Sequence, residues 1–170
     1  MSGRAFTGTA HKIMSLAEAK GRAEELRGAG KTIAYTNGCF DLIHAGHVGT
    51  LEAARRLADC LIVGINGDDS ARQLKGPGRP ILPERDRAEV VAAFACVDLV
   101  VIFPELNSLP TIRALKPDVW VKGGDYTLAT VHQEEKAYVQ SYGGQVALGE
   151  RVPGASTTEI ISRIKQLPEG

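Results

Sequence analysis

The sequence predicts an α/β fold, a Rossmann-like five-stranded parallel sheet with helices on both faces, and three observations predict it. Short β-branched runs alternate with segments of helical period from residue 15 to residue 166. The strand candidates are apolar throughout rather than alternating, as strands covered on both faces are. Gly, Pro, Asn or Asp bound these runs. Strict β–α alternation makes neighbouring strands parallel and places crossover helices over both faces of the sheet.

The elements follow in order. Residues 1–14, MSGRAFTGTAHKIM, hold basic but no acidic residues and no continuous apolar face, and are expected to form a flexible N-terminal tail ahead of one domain, 15–170. Ser15 and Glu18 in SLAE make a capping-box pattern that opens the first helix, and Gly28-Ala29-Gly30 ends it. Strands are expected at 32–36, 61–66, 99–103, 119–122 and 145–148, and helices at 46–58, 83–95, 108–115, 130–142 and 157–166.

Bulk properties limit the function classes. A chain of 170 residues suits a single domain that buries about two thirds of its unfolded surface. Twenty Lys+Arg balance twenty Asp+Glu, so no global field attracts nucleic acid or an anionic membrane, and neither is expected as a partner. Any anion must be bound locally. Cys39, Cys60 and Cys96 are odd in number and form no CxxC pair, which points to a reducing, cytoplasmic setting. The longest apolar run, 90–97, is too short to span a bilayer.

Ligands of such sheets bind beyond the carboxyl ends of the strands, at the switch in strand order. The unusual residues gather on that edge. Residues 38–47 follow the first strand, 75–80 lie downstream of the second, 122–126 follow the fourth and 151–158 the fifth. Glycines permit close backbone approach and the Lys and Arg residues supply positive charge, so the composite reads as a phosphate site. Within HAGH, Gly46 allows a tight turn and His47 falls in the first helical turn, where free N–H groups already favour anions. His44 and His47 would add directed hydrogen bonds to phosphate oxygens whose charge grows during reaction. Two satisfied turn histidines are the plain alternative. A zinc site would need Asp41 and Cys39 in a strained arrangement to complete it, and no metal ligands are assigned.

GCFDLIHAGH fits the GxFDxxHxGH signature, and RVPGASTT resembles the RxxGxST(S/T) signature, of the nucleotidylyltransferase superfamily. More narrowly, TNGCFDLIHAGHV, LKGPGRP, VKGGDY and the STT tail together resemble the adenylyltransferase part of bacterial ADP-heptose synthases over residues 31–166, here as a stand-alone chain. The resemblance implies transfer of AMP from ATP to D-glycero-β-D-manno-heptose 1-phosphate, with release of pyrophosphate, for the lipopolysaccharide inner core. No kinase half lies in these 170 residues, so the sugar phosphate is expected from a separate enzyme.

Carried over by residue, the resemblance makes His44, His47, Lys75 and Arg151 catalytic. The histidines contact the nucleotide phosphates, Lys75 sits on a mobile loop with Gly76, Pro77, Gly78 and Pro80, and Arg151 faces the leaving pyrophosphate. Nucleotide binding is assigned to Gly38, Cys39, Phe40, Asp41, Gly46, Arg79, Lys122, Gly123, Gly124, Asp125, Ser156, Thr157 and Thr158. Asp41 either caps its own turn or faces the sugar phosphate through Mg²⁺, and Lys122 and Asp125 either bind ligand or pair with each other. Cys39 reads as a packing residue rather than a nucleophile. Ser156 and Glu159 also satisfy the capping-box pattern, which is compatible with a phosphate seat. Mg²⁺ is expected to be bound mainly through the ATP phosphates. A homodimer or larger homo-oligomer is also implied. The alternatives are a cytidylyltransferase acting on glycerol 3-phosphate or another alcohol phosphate, an adenylyltransferase of a flavin or pantetheine phosphate, and a nucleotide-binding sensor without catalysis.

Overall fold

The computed structural model describes residues 8–124, 126–149 and 154–168. The α/β expectation holds, with one strand more than expected. Six strands form one parallel sheet in the order β1-β4-β3-β2-β5-β6, where β1 is Ile13–Met14, β2 Ile33–Gly38, β3 Cys60–Asn66, β4 Leu99–Phe103, β5 Val119–Lys122 and β6 Gln145–Leu148. The extra strand, β1, lies in the segment expected as tail, where Ile13 and Met14 pair with Val100 and Val101 and a short 3₁₀ turn, Ala10–Lys12, precedes it. The Lys12 ammonium donates to the carbonyls of Phe94 and Val97, which anchors this segment to the end of a helix. Two residues without alternation leave no strand signal in the sequence.

The helices are α1 Leu16–Gly28, α2 Ala45–Arg56, α3 Asp68–Lys75, α4 Glu84–Ala92, α5 Leu109–Leu115, α6 Gln133–Ser141 and α7 Thr157–Lys165. The capping box of α1 forms as expected, with Ser15 and Glu18 satisfying each other's backbone N–H. Helix α3 was absent from the sequence expectation. Its signs were present: Asp68 and Asp69 in the first turn, Arg72 and Lys75 in the last, and Gly76 as the cap.

The sheet separates two cores. Ile33, Tyr35, Ile62 and Trp120 pack on one face beneath Ala19 and Ala23 of α1, Ile112 and Leu115 of α5, and Val139 of α6. Ala34, Leu61, Val63 and Val121 pack on the other, beneath Leu51 and Ala54 of α2 and Ala88, Val91 and Ala92 of α4. Alternate residues of one strand thus serve opposite cores, and full burial of β3 removes any need for a polar face. The chain leaves β2 for β3 on one side and later places β5 on the other, so the switch in strand order falls between β2 and β5. Among the described residues no helix is long and apolar enough to cross a membrane.

Candidate active site

The turn after β2 lies at this switch point, at the carboxyl ends of the strands. Phe40 has φ of 47°, a left-handed conformation that a non-glycine residue keeps only where its surroundings enforce it. Its ring is buried and stands 5.2 Å from that of His47. The turn delivers the chain to His44, the N-cap of α2, whose carbonyl accepts the N–H groups of His47 and Val48. Among the described residues the His44 side chain makes no capping bond to this helix.

His44 and His47 stack with ring centroids 3.8 Å apart, and both Nδ1 atoms are buried without a protein partner among the described residues. Burial lowers the pKa of His44. Burial, then the neighbouring His44 ring and then the Lys75 charge push His47 down to about 4. Both rings are therefore neutral near pH 7, poised to donate an N–H without carrying a full charge.

Gly46 and Gly123 set the packing around this pair. A Cβ on Gly46 would lie 3.0 Å from the His44 ring and 3.3 Å from the Ala155 carbonyl. The second signature segment therefore meets the first at a residue without a side chain. A Cβ on Gly123 would come 2.3 Å from Thr50 Oγ1, so the loop after β5 closes directly on α2. The Thr157 hydroxyl donates to the Leu42 carbonyl at 3.2 Å, fastening the start of α7 to the same turn. Ser156 caps α7 by accepting the Glu159 N–H at 3.1 Å. Only that half of the expected capping box forms, because the Glu159 carboxylate receives Arg163.

The remaining sequence-predicted residues take several different positions. Lys75 is the final residue of α3 rather than part of a loop, exposed, with its charge felt at His47 and Cys39. Gly76, Pro77, Gly78 and Pro80 follow it. Asp41 faces inward: Oδ2 accepts Arg79 Nε at 2.5 Å, and Oδ1 accepts the N–H groups of Ile81 and Leu82. Arg79 is thereby held against the protein. Lys122, at the end of β5, is nearly buried, lies over the rings of Trp120 and Tyr126, and donates to Asn37 Oδ1 at 3.4 Å. Burial pushes its ammonium pKa down, against the pull of Glu135. Gly38 ends β2, Gly124 takes a positive φ just beyond Lys122, and Thr158 lies in the first turn of α7. Burial pushes the Cys39 thiol up, away from nucleophilic thiolate, in keeping with a packing role. Asp125 and Arg151 lie outside the described residues.

Sequence reasoning missed Asn37 and Arg87. Asn37 Oδ1 receives both the Trp120 indole N–H, at 3.1 Å, and Lys122. Arg87 is wholly buried beneath the turn. Neither carries a signal in one sequence, since Asn37 reads as a turn residue after a strand and Arg87 as one charge in a polar helix start. No group of three or more His, Cys, Asp or Glu side chains is arranged to hold a metal among the described residues.

This arrangement can seat a polyphosphate: the N-terminal end of α2, two neutral imidazole donors, and lysines at the ends of α3 and β5. Comparison with known proteins places the chain in a family. The chain is 54% identical over 138 residues to the bifunctional protein HldE of Syntrophotalea carbinolica, covering 81% of this chain and 28% of that one. It is 47% identical over 159 residues to HldE of Alcanivorax borkumensis, covering 94% and 33%. The chain thus spans about a third of the length of these relatives. The lipopolysaccharide core biosynthesis protein of Thermoplasma volcanium shares the fold, with a TM-score of 0.63 at 24% identity over 72% of this chain and 99% of that one. Pantoate-beta-alanine ligase from Francisella tularensis shares it too, with a TM-score of 0.60 at 15% identity over 92% and 73%. The sequence profile of the cytidylyltransferase-like family matches residues 35–163, which take in the histidine turn, the loop after β5 and most of α7; the chain belongs to that family of nucleotidyltransferases.

Proposed function

We propose that this protein transfers AMP from ATP to D-glycero-β-D-manno-heptose 1-phosphate, giving ADP-heptose and pyrophosphate for the lipopolysaccharide inner core. The observation that carries the reading is the stacked, desolvated His44–His47 pair at the uncapped mouth of α2. The sugar branch rests on the resemblance of TNGCFDLIHAGHV, LKGPGRP, VKGGDY and the STT segment to ADP-heptose synthases. Nearly half or more of the aligned residues are identical to those of the HldE relatives, which supports that branch.

A phosphate oxygen of the sugar 1-phosphate attacks the α-phosphorus of Mg²⁺-bound ATP in line, and the bond to the β-phosphate oxygen breaks. Positioning and electrostatics supply the catalysis. His44 and His47 donate hydrogen bonds to oxygens around the α-phosphorus. Lys75 and Arg151 neutralise the departing pyrophosphate, while the Ser156-Thr157-Thr158 helix mouth seats the β- and γ-phosphates. Mg²⁺ would be supplied with ATP and held mainly by its phosphates and water, neutralising phosphate charge; the Asp41 carboxylate is already occupied by Arg79 and two backbone N–H groups. The enzyme works in the cytoplasm as a homo-oligomer, without nucleic acid or membrane as partner.

The test is pyrophosphate release with ATP, CTP, GTP and UTP, each against heptose 1-phosphate, glycerol 3-phosphate, FMN and phosphopantetheine. Turnover confined to ATP with the β-anomer of heptose 1-phosphate is expected. Preferred turnover of CTP with glycerol 3-phosphate overturns the heptose assignment, and nucleotide binding without any pyrophosphate release makes the protein a sensor. Light scattering should give a mass well above the 18.1 kDa of one chain.

A further inference from the structure

We propose that Arg87 is a positioning residue for this transfer, fixing through the Cys39 carbonyl the turn that carries the histidines, and through Asp68 the helix that ends in Lys75. The proposal rests on the transferase reading above. Arg87 is 0% exposed, and its guanidinium makes four hydrogen bonds to four different segments. Nε donates to the Leu82 carbonyl at 2.9 Å, Nη1 to the carbonyls of Cys39 at 2.5 Å and Asn66 at 2.8 Å, and Nη2 to Asp68 Oδ1 at 2.8 Å. These acceptors belong to the segment before α4, the turn after β2, the end of β3 and the start of α3.

Stability alone does not require an arginine there. Taking a guanidinium out of water is costly, and an apolar side chain of similar volume often serves a core as well or better. A planar fork adds fixed angles between its partners. Here those partners are the parts of the site that must keep register. The bond to the Cys39 carbonyl restrains the residue directly before Phe40, whose left-handed φ of 47° needs external support and whose ring lies against His47. The Asp68 bond holds the first residue of α3, and the Glu84 carboxylate grips the same residue by accepting its N–H at 2.8 Å. Helix α3 then transmits that placement along its length to Lys75.

The experiment compares Arg87→Lys with the wild-type full chain by melting temperature, by steady-state kinetics and by NMR titration of the His47 ring, which faces His44, Lys75 and Phe40. Lysine keeps the charge and loses the fork. The variant is expected to fold and to lower kcat about tenfold to a hundredfold, with the KM for ATP changed less than about threefold. The His47 midpoint should rise from about 4 toward the ordinary value of 6.5 as the turn loosens and water reaches the ring. A kcat within about twofold of wild type together with an unmoved His47 midpoint would reduce Arg87 to a strut of the core, whatever the melting temperature does. Should Arg87→Lys not fold, Asp68→Asn, at a side chain 35% exposed, carries the test: kcat lowered about threefold or more supports the proposal and wild-type kcat overturns it. If the wild-type protein turns over no acceptor, the transferase reading fails by itself, and the His47 midpoint still decides whether Arg87 positions the turn.

Discussion

The imidazoles of His44 and His47 stack with centroids 3.8 Å apart and planes inclined by 29°, at the open end of α2. Two rings so close resist a double positive charge, and burial depresses both pKa values. In the proposed transfer they would meet the α-phosphate as neutral donors, their hydrogen bonds strengthening as charge builds in the transition state.

His47→Ala should lower kcat by about two to three orders of magnitude, or roughly 3–4 kcal/mol of transition-state stabilisation. The KM for ATP should change little, because the helix mouths and lysines still hold the phosphates. His44→Ala should behave alike, and the double variant should fall short of the product of the single effects, since both rings serve one phosphate group. Near-normal kcat in His47→Ala would show that the pair does not act on the reacting group.

The depressed His47 pKa also sets a stability profile. A histidine that titrates near 4 when folded and near 6.5 when unfolded binds fewer protons in the folded state between those values. Its contribution is therefore fully present above pH 6.5, declines as the pH falls to about 4, and is flat below. The apo protein should melt progressively lower over that window, and His47→Gln should lose this part of the slope. Differential scanning calorimetry of both proteins across the window checks it; parallel curves would contradict the burial of this ring.

Much of this site was legible in the sequence. The HAGH turn declares itself because glycine and two histidines at a strand-to-helix junction have few structural uses, and the capping box of α1 follows from local hydrogen bonding alone. Strand β1 was hidden because two residues have no period, and both its partners in β4 and those of Lys12 lie more than eighty residues on. Helix α3 was hidden by its charge, since its ends carry cap signals while its body shows little apolar face. The inward turn of Asp41 was invisible for another reason: its partners Arg79, Ile81 and Leu82 lie some forty residues on. A carboxylate in a glycine-rich turn looks the same in sequence whether it awaits a ligand or anchors a loop.

Gly46→Ala tests how tightly the two signature segments close. The new Cβ would press on the His44 ring at 3.0 Å and on the Ala155 carbonyl at 3.3 Å. Gly46 is the second residue of α2 and has no positive φ that would require glycine, so folding stability should change by less than about 1 kcal/mol. The displaced imidazole should nonetheless cost about tenfold or more in kcat, given the sensitivity of catalysis to small misplacements. Unchanged kcat would mean that the His44 ring tolerates movement and that its observed rotamer is not required.

Asp41 separates an anchoring role from a metal-binding one. Its side chain is 1% exposed, and both oxygens are filled by Arg79 and by the N–H groups of Ile81 and Leu82. Asp41→Ala would leave a guanidinium only 15% exposed and two inward N–H groups without an acceptor, a loss of about 3–5 kcal/mol by analogy with broken buried pairs. Asp41→Asn keeps an oxygen for the backbone N–H groups but sets an amide against Arg79, so it should lose less, about 1–3 kcal/mol. In both variants the segment after Lys75 loses its tether to the histidine turn, and the KM for ATP should rise with it. Urea denaturation and a titration of activity with Mg²⁺ distinguish the roles. An anchor gives large stability losses in the order Ala above Asn with an unchanged magnesium requirement, whereas a metal ligand gives near-wild-type stability and a raised magnesium requirement, and that second pattern would place the Asp41 carboxylate on the ligand side of the turn.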